Sequence, residues 1–172
     1  MKTLIWDLDD VLNDLTETWL AGFCLSRSVQ VPIQEIKKNP PFEILGISKH
    51  EYLNSLDDFR RSSEGKTLSP NPDVLAWFER AGGSFRHIVL TATPAFNASN
   101  AASWVFSHFG NWIQCFGFVP SPRETDRFSG CFSNKGEFLQ WVRAGDIFID
   151  DHPIELYNHQ FLHNSVLSLF IF

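Results

Sequence analysis

The chain has 172 residues, is 44% hydrophobic and carries a formal net charge of −6. That length supports one compact core with a small accessory lobe and is too short for two ordinary domains. The acidic balance disfavours non-specific binding to nucleic acid, where phosphate neutralisation dominates affinity, and an anionic substrate would need a site with its own local positive charge.

Lys2 to Asp7 reads as a first strand, a short apolar run that stops on Asp7, Asp9 and Asp10. Leu15, Trp19, Leu20 and Phe23 recur at helical spacing and predict a helix over 14–27. Residues 28–48 are broken by Pro32, Pro40 and Pro41 and read as loop with a short helix. Leu53, Leu56 and Phe59 in "ISKHEYLNSLDDFRR" predict a second helix, and "SEGKTLSPNP" is turn-rich. "NPDVLAWFERAGG" opens with helix-starting chemistry and closes on a glycine pair.

From residue 71 onward, helix and strand alternate. "FRHIVLTAT" is a strand, "ASNAASWVFSHFG" a helix stopped by Gly110, "IQCFGFV" a strand and "PSPRETDRFSG" a loop. "SNKGEFLQWVRAG" is a helix with Ser133 or Asn134 as N-cap and Gly145 as its stop. "DIFID" is a strand begun by Asp146, "PIELYNHQFLH" a helix and "SVLSLFIF" a last strand. Near-continuous apolar strands separated by helices imply an α/β fold: a doubly wound, Rossmann-like, mainly parallel sheet. Residues 14–70 interrupt it as a small, mostly helical insertion after the first strand. The core is then 1–13 and 71–172.

In an open parallel sheet, ligands bind beyond the carboxyl ends of the strands. The first strand ends on Asp7, Asp9 and Asp10, "HIVLTAT" on Thr91 and Thr93, and "DIFIDDHP" on Asp150 and Asp151. The helix before the last of these carries Lys135 near its start. Two unit charges ~4 Å apart repel by about 4 kcal/mol at an effective dielectric of 20, so gathered aspartates need an offset. An all-carboxylate set suits a hard cation, and Mg²⁺ takes one or two carboxylates, waters and a substrate phosphate. Asp7 and Asp9, two apart in extended backbone, point to the same side. One can attack while the other handles a proton, as phosphoryl transfer through an aspartyl-phosphate requires. Thr91 could then hold a phosphate oxygen and Lys135 neutralise charge on the transferring group.

"WDLDDVL", "VLTAT", Lys135 in "SNKGEF" and "DIFIDDHP" together resemble the haloacid-dehalogenase-like phosphohydrolase superfamily. The resemblance covers 1–13 and about 71–172, and the 14–70 insertion lies where that family inserts a small helical cap. "GDIFIDDHP" is most similar to the deoxyribonucleotidase-type 5′-nucleotidases. The resemblance implies a Mg²⁺-dependent phosphomonoesterase with Asp7 as nucleophile. Asp9 would be the general acid and base, its backbone carbonyl binding metal. Asp150 would be a metal ligand, with Asp151 a ligand directly or through water. Asp10 stands where many members have Gly and receives no catalytic role.

Other features carry less. Cys24, Cys115 and Cys131 form no CxxC pair and read as small apolar packing residues in a reducing, cytoplasmic setting. The three apolar residues before Asp7 are too few for a secretory signal, and no stretch approaches the ~18 apolar residues of a membrane span. The glycosylation-like "NAS" at 97–99 is discounted accordingly. "EGKT" lacks a P-loop's first glycine, which would fall at Arg60, and "DLDDVL" lacks the ligands of a calcium loop. His152 reads as a capping or solvent-facing residue. Trp19, Phe23, Phe42, Tyr52 and Phe59 offer a base-stacking platform, but their helical spacing assigns most of them to a core. Lys37, Lys38, Arg60 and Arg61 read as solvated charge with reach toward a substrate anion.

The expected partner is a small soluble phosphate ester, with a nucleoside monophosphate favoured. Sugar phosphates and polymer-end phosphates are alternatives, because a small insertion leaves the site open. A receiver-like phosphoaspartate module shares the acids, Thr and Lys but places its acidic pair early and its phosphorylated Asp later. Here that order is reversed.

Overall fold

A computed structural model describes residues 1–27, 31, 41–121, 123, 132–151 and the backbone of 167–169. The predicted 153–163 helix, His152, Cys131, Lys37 and Lys38 lie outside the described residues. The chain divides into two compact units, one of 1–13 with 69–172 and the other of 14–68.

The first unit is built on a five-stranded sheet in the order β3-β2-β1-β4-β5. The strands are β1 (Thr3–Trp6), β2 (Arg86–Thr93), β3 (Ile113–Pro120), β4 (Ile147–Ile149) and β5 (Leu167–Leu169), and every pairing is parallel. Parallel neighbours need long crossovers. These include the helices α4 (Pro72–Ala81), α5 (Ala98–Phe109) and α6 (Lys135–Val142).

Strand alternation decides the layers. Leu4 and Trp6 of β1 join Val89, Val74 and Phe78 of α4, and Val105 and Phe109 of α5 in one apolar cluster. Ile5, one residue out of phase, joins Leu90, Val119 and Phe148 in a second cluster, against which Phe138 and Leu139 of α6 pack. Period-2 alternation thus sends neighbouring side chains to opposite faces, and helices cover both, as in a doubly wound sheet. Burying a side chain such as fully covered Phe78 contributes about 1.5–3 kcal/mol.

Asp146 begins β4 in the predicted way. Its carboxylate accepts the Thr3 N–H at 2.7 Å, and its own N–H donates to the Thr3 carbonyl at 2.8 Å, pinning β4 to the start of β1. Asn71 opens α4, its side chain accepting the N–H groups of Asp73 and Val74.

The second unit holds α1 (Leu15–Arg27), α2 (Lys49–Arg61) and the short α3 (Ser63–Lys66). Its core gathers Leu15, Trp19, Leu20, Phe23, Tyr52, Leu56 and Leu68. Trp19 and Tyr52 meet edge-on with ring centroids 5.3 Å apart, so these aromatics are packed core. Helix α3 falls in the stretch predicted to be turn. Ser62 serves both helices, its N–H closing α2 on Asp58 and its hydroxyl accepting the Gly65 N–H that opens α3.

Three further expectations are corrected. Helix α6 ends on Arg143, in left-handed backbone at φ 48°, not at Gly145. Gly145 instead takes φ 113° where a Cβ would fall 2.5 Å from Ile5 Cδ1, so its lack of a side chain serves close approach to β1. Cys115 is exposed on edge strand β3, and Cys24 is half-buried; both are free thiols. An edge strand leaves part of its apolar run uncovered, so Cys115 is not the packing residue its sequence context suggested. Arg60 is buried and lies 3.5 Å from Asp57, whereas Arg61 is exposed.

Candidate active site

β1 ends where its ladder hands over to a tight turn. The Asp7 N–H still donates to the Ile149 carbonyl at 2.8 Å, which places Asp7 beside the end of β4. The chain then coils at once: the Leu8 carbonyl accepts the Leu12 N–H at 2.9 Å and, more weakly, those of Val11 and Asn13. That coil requires left-handed backbone at Asp10, φ 61°. Asp tolerates this conformation better than most L-residues because its short polar side chain can bond locally.

Asp7 is buried, its side chain 10% exposed, and each carboxylate oxygen has a fixed partner. Oδ1 accepts the Leu8 N–H at 2.7 Å. Oδ2 accepts from the Lys135 ammonium at 2.7 Å. The same ammonium donates to Asp150 Oδ2 at 2.8 Å, and Asp150 is 4% exposed. Lys135 is delivered by the start of α6. The Asn134 side chain accepts the Glu137 N–H at 2.9 Å, and Glu137 reaches back to the Ser133 N–H at 2.7 Å. This reciprocal cap fixes the first helical turn. Asp150 arrives through register: Trp6 pairs with Ile149, so the residues that follow each strand are neighbours.

One ammonium therefore serves two buried carboxylates. Burial pushes the Asp7 carboxyl up to about 7, with Asp150 and Asp9 adding to the rise and Lys135 opposing it. Burial alone would lower the Lys135 ammonium, but the attraction of Asp7 and Asp150 outweighs it and holds the group above its ordinary value. With both carboxylates ionised, the trio carries one excess negative charge. Carboxylate oxygens of Asp7, Asp150 and Asp151 lie within 4.8 Å of one another. An all-oxygen donor set of this size, with unbalanced negative charge, fits a hard divalent cation.

The fold thus brings Asp7, Lys135, Asp150 and Asp151 together. Asp9 is close enough to act on Asp7 electrostatically, but its carboxylate is not among the three that converge. Thr91 is 1% exposed near the end of β2. The Trp6–Val89 pairing sets it one residue beyond the level of Asp7. Among the described residues no hydrogen bond joins Thr91 to Asp7, Asp150 or Lys135. Thr93, at the last position of β2, accepts the Asn97 side-chain amide at 3.3 Å.

Ser121 and Arg123 were passed over in the sequence. They follow β3 at the same carboxyl edge of the sheet, with the Arg123 guanidinium donating to the Ser121 hydroxyl at 2.9 Å. The signal for them in the sequence is their place directly after the apolar run of β3, the position that Asp7, Thr91 and Asp150 hold on their own strands.

Neither a protein-family model nor a curated protein sequence matches the chain. Solved structures do. A hydrolase from Streptococcus pneumoniae TIGR4 is 17% identical with a TM-score of 0.59, over 90% of this chain and 86% of that one. A haloacid dehalogenase-like family hydrolase from Streptococcus pneumoniae is 16% identical with a TM-score of 0.57, over 88% and 76%. A protein described as a predicted phosphatase from Clostridium acetobutylicum is 11% identical with a TM-score of 0.53, over 86% and 74%. At these identities the likeness is one of fold alone: the chain shares the architecture of these solved structures.

Proposed function

We propose that the protein is a Mg²⁺-dependent phosphomonoesterase that works through an aspartyl-phosphate on Asp7. One observation carries the reading: Asp7, buried at a strand end, has both carboxylate oxygens fixed and shares Lys135 with Asp150. The fold likeness to a protein described as a predicted phosphatase and to a haloacid dehalogenase-like family hydrolase supports it.

Asp7, Asp150 and Asp151 would hold the metal, with the Asp9 backbone carbonyl. When bound, Mg²⁺ neutralises charge on the phosphoryl oxygens and lets an anionic ester approach these acids. The Asp7 carboxylate attacks phosphorus, and its fixed orientation lowers the entropic part of the barrier. The ester oxygen leaves with a proton from Asp9. Asp9 then takes a proton from the water that hydrolyses the acyl phosphate, which regenerates Asp7 and releases inorganic phosphate. Lys135 offsets charge on the transferring group, and the Thr91 hydroxyl is assigned to a phosphate oxygen. The 14–68 unit corresponds to the small helical cap that the resemblance implies.

A nucleoside monophosphate is the favoured substrate, on the resemblance of "GDIFIDDHP" to the deoxyribonucleotidase-type enzymes. The free thiols of Cys24 and Cys115 support a reducing, cytoplasmic setting, and no described helix is long and apolar enough to cross a membrane. The test is a phosphatase screen with Mg²⁺ over nucleotides, sugar phosphates, phosphoamino acids and oligonucleotide ends. Deoxynucleoside monophosphates should rank first. If they rank no higher than a generic aryl phosphate, the nucleotidase reading is wrong. A stable phosphoaspartate without turnover would favour a receiver-like module.

A further inference from the structure

Behind the nucleophile's strand lies a buried imidazole that the reaction does not use. His87 of β2 is 5% exposed and is paired across the ladder with Leu4 of β1 and Ile113 of β3. Its Nδ1 accepts the indole N–H of Trp6 at 3.1 Å, and its Nε2 lies 2.8 Å from the Gly82 carbonyl oxygen. An indole N–H can only donate and a carbonyl can only accept. Together they admit one state of the ring: neutral, with its proton on Nε2. An imidazolium would set an N–H against the indole N–H.

The surroundings reinforce that choice. Trp6 of β1, Trp77 and Phe78 of α4, and Phe85 ahead of β2 surround the ring, tilted or edge-on, with centroids 4.8–6.4 Å away. None of these residues carries charge, nor do Leu4, Ile113 and Gly82, and the strand neighbour Arg86 is exposed. Burial, the larger effect, lowers the His87 pKa below its ordinary value of 6.5, while the Gly82 bond acts in the opposite direction.

Trp6 is the residue immediately before Asp7. Its backbone is paired on both sides, to Val89 and to Ile149, and its indole packs on Trp77 and Phe78. The indole is carried by the residue at which the ladder hands over to Asp7, so a shift of the indole reaches Asp7 through a single peptide unit. We propose that His87 is a positioning residue for Asp7, acting through the Trp6 indole, and that acid releases this Gly82–His87–Trp6 latch by protonating the ring. The positioning role rests on the reading of Asp7 as the nucleophile; the latch itself does not.

The test uses His87→Leu, which removes both hydrogen bonds, and His87→Gln, whose amide keeps one acceptor and one donor. Two resonances are followed by NMR without substrate: the Trp6 indole N–H, identified by its loss in Trp6→Phe, and the Asp7 side-chain carboxyl, identified by its loss in Asp7→Asn. His87→Leu should move the Asp7 carboxyl resonance. It should also lower kcat on an aryl phosphate with Mg²⁺ by about tenfold with KM little changed, as a sub-ångström displacement of a reacting group does. His87→Gln should restore both. As pH falls from about 7.5 past the imidazole titration, which lies below 6.5, the Trp6 resonance should move in Asp7→Asn, where the neighbouring carboxyl no longer titrates, and stay still when His87→Gln is added to that variant. If His87→Leu does not fold, Trp6→Phe carries the Asp7 measurement.

An unmoved Asp7 resonance in the variant that breaks the latch overturns the positioning role. An unmoved Trp6 resonance through the His87 titration overturns the acid release. If the wild type turns over no phosphate ester, the enzymatic reading fails while the two resonances still decide the latch.

Discussion

Asp7 ionises in a setting that resists it. Its carboxyl is raised from 3.8 to about 7, first by burial and then by Asp150 and Asp9, against the pull of Lys135. A tenfold change in proton affinity is about 1.4 kcal/mol, so the ionised carboxylate costs the metal-free fold about 4 kcal/mol at most. Relaxation of a real interior brings the expected figure to about 2 kcal/mol. The sign is fixed by linkage. Between pH 4 and 7 the folded chain binds more protons at this site than the unfolded chain, so its contribution to stability falls as pH rises and levels off above the folded value.

Asp7→Asn removes that slope while Lys135 keeps Asp150 as a partner at 2.8 Å. In EDTA at pH 7.5 the variant should therefore be more stable than the wild type by about 2 kcal/mol, which is about 1 M in the urea midpoint for a small protein. The gap should close as pH approaches 4. With Mg²⁺ the wild type recovers through metal binding, and the variant shows no turnover. A variant less stable than wild type at pH 7.5 in EDTA, or a gap that ignores pH, would refute the account of a strained nucleophile. Wild-type-like turnover would refute the nucleophile itself.

Three other outcomes are expected. Lys135→Met leaves Asp7 and Asp150 facing each other without their shared cation and should lose about 3 kcal/mol in EDTA; thermal melts with and without Mg²⁺ should show the metal recovering part of it. The lowered pKa of His87 means that the unfolded chain binds the extra proton first, so this group's contribution is complete above about pH 6.5 and is lost as pH falls; the stability difference between wild type and His87→Gln, measured from pH 7.5 to 5.5, should follow that curve. Gly145→Ala combines φ 113° with a Cβ placed 2.5 Å from Ile5 Cδ1 and should lose about 2 kcal/mol or more by urea unfolding, with Ile5 forced to shift.

Much of the architecture was legible in the amino-acid order. Strands buried on both faces must read as short apolar runs, and the five runs found in the sequence are the five strands of the sheet. Helix starts were readable where a side chain does the capping, as at Asn71 and Asn134. Helix stops were readable at Gly82 and Gly110, which close α4 and α5, but not at α6: Gly145 looked like a terminator, yet its conformation answers to Ile5 of β1, 140 residues earlier, a neighbour no local pattern reveals. The exposure of Cys115 likewise depends on β3 lying at the sheet edge, which strand order alone decides.

The acids at the strand ends follow from local order, because a strand must stop somewhere and the residue that stops it is in the sequence. What only the tertiary structure decided is who faces whom. The pairing of Trp6 with Ile149 makes Asp7 and Asp150 neighbours, and the cap at Asn134 aims Lys135 between them. The pairing of β1 with β2 brings the Trp6 indole to His87. Hydrogen bonds and charge interactions act over a few ångströms of space, not along the chain. Their partners become known only when sheet register has brought distant segments side by side.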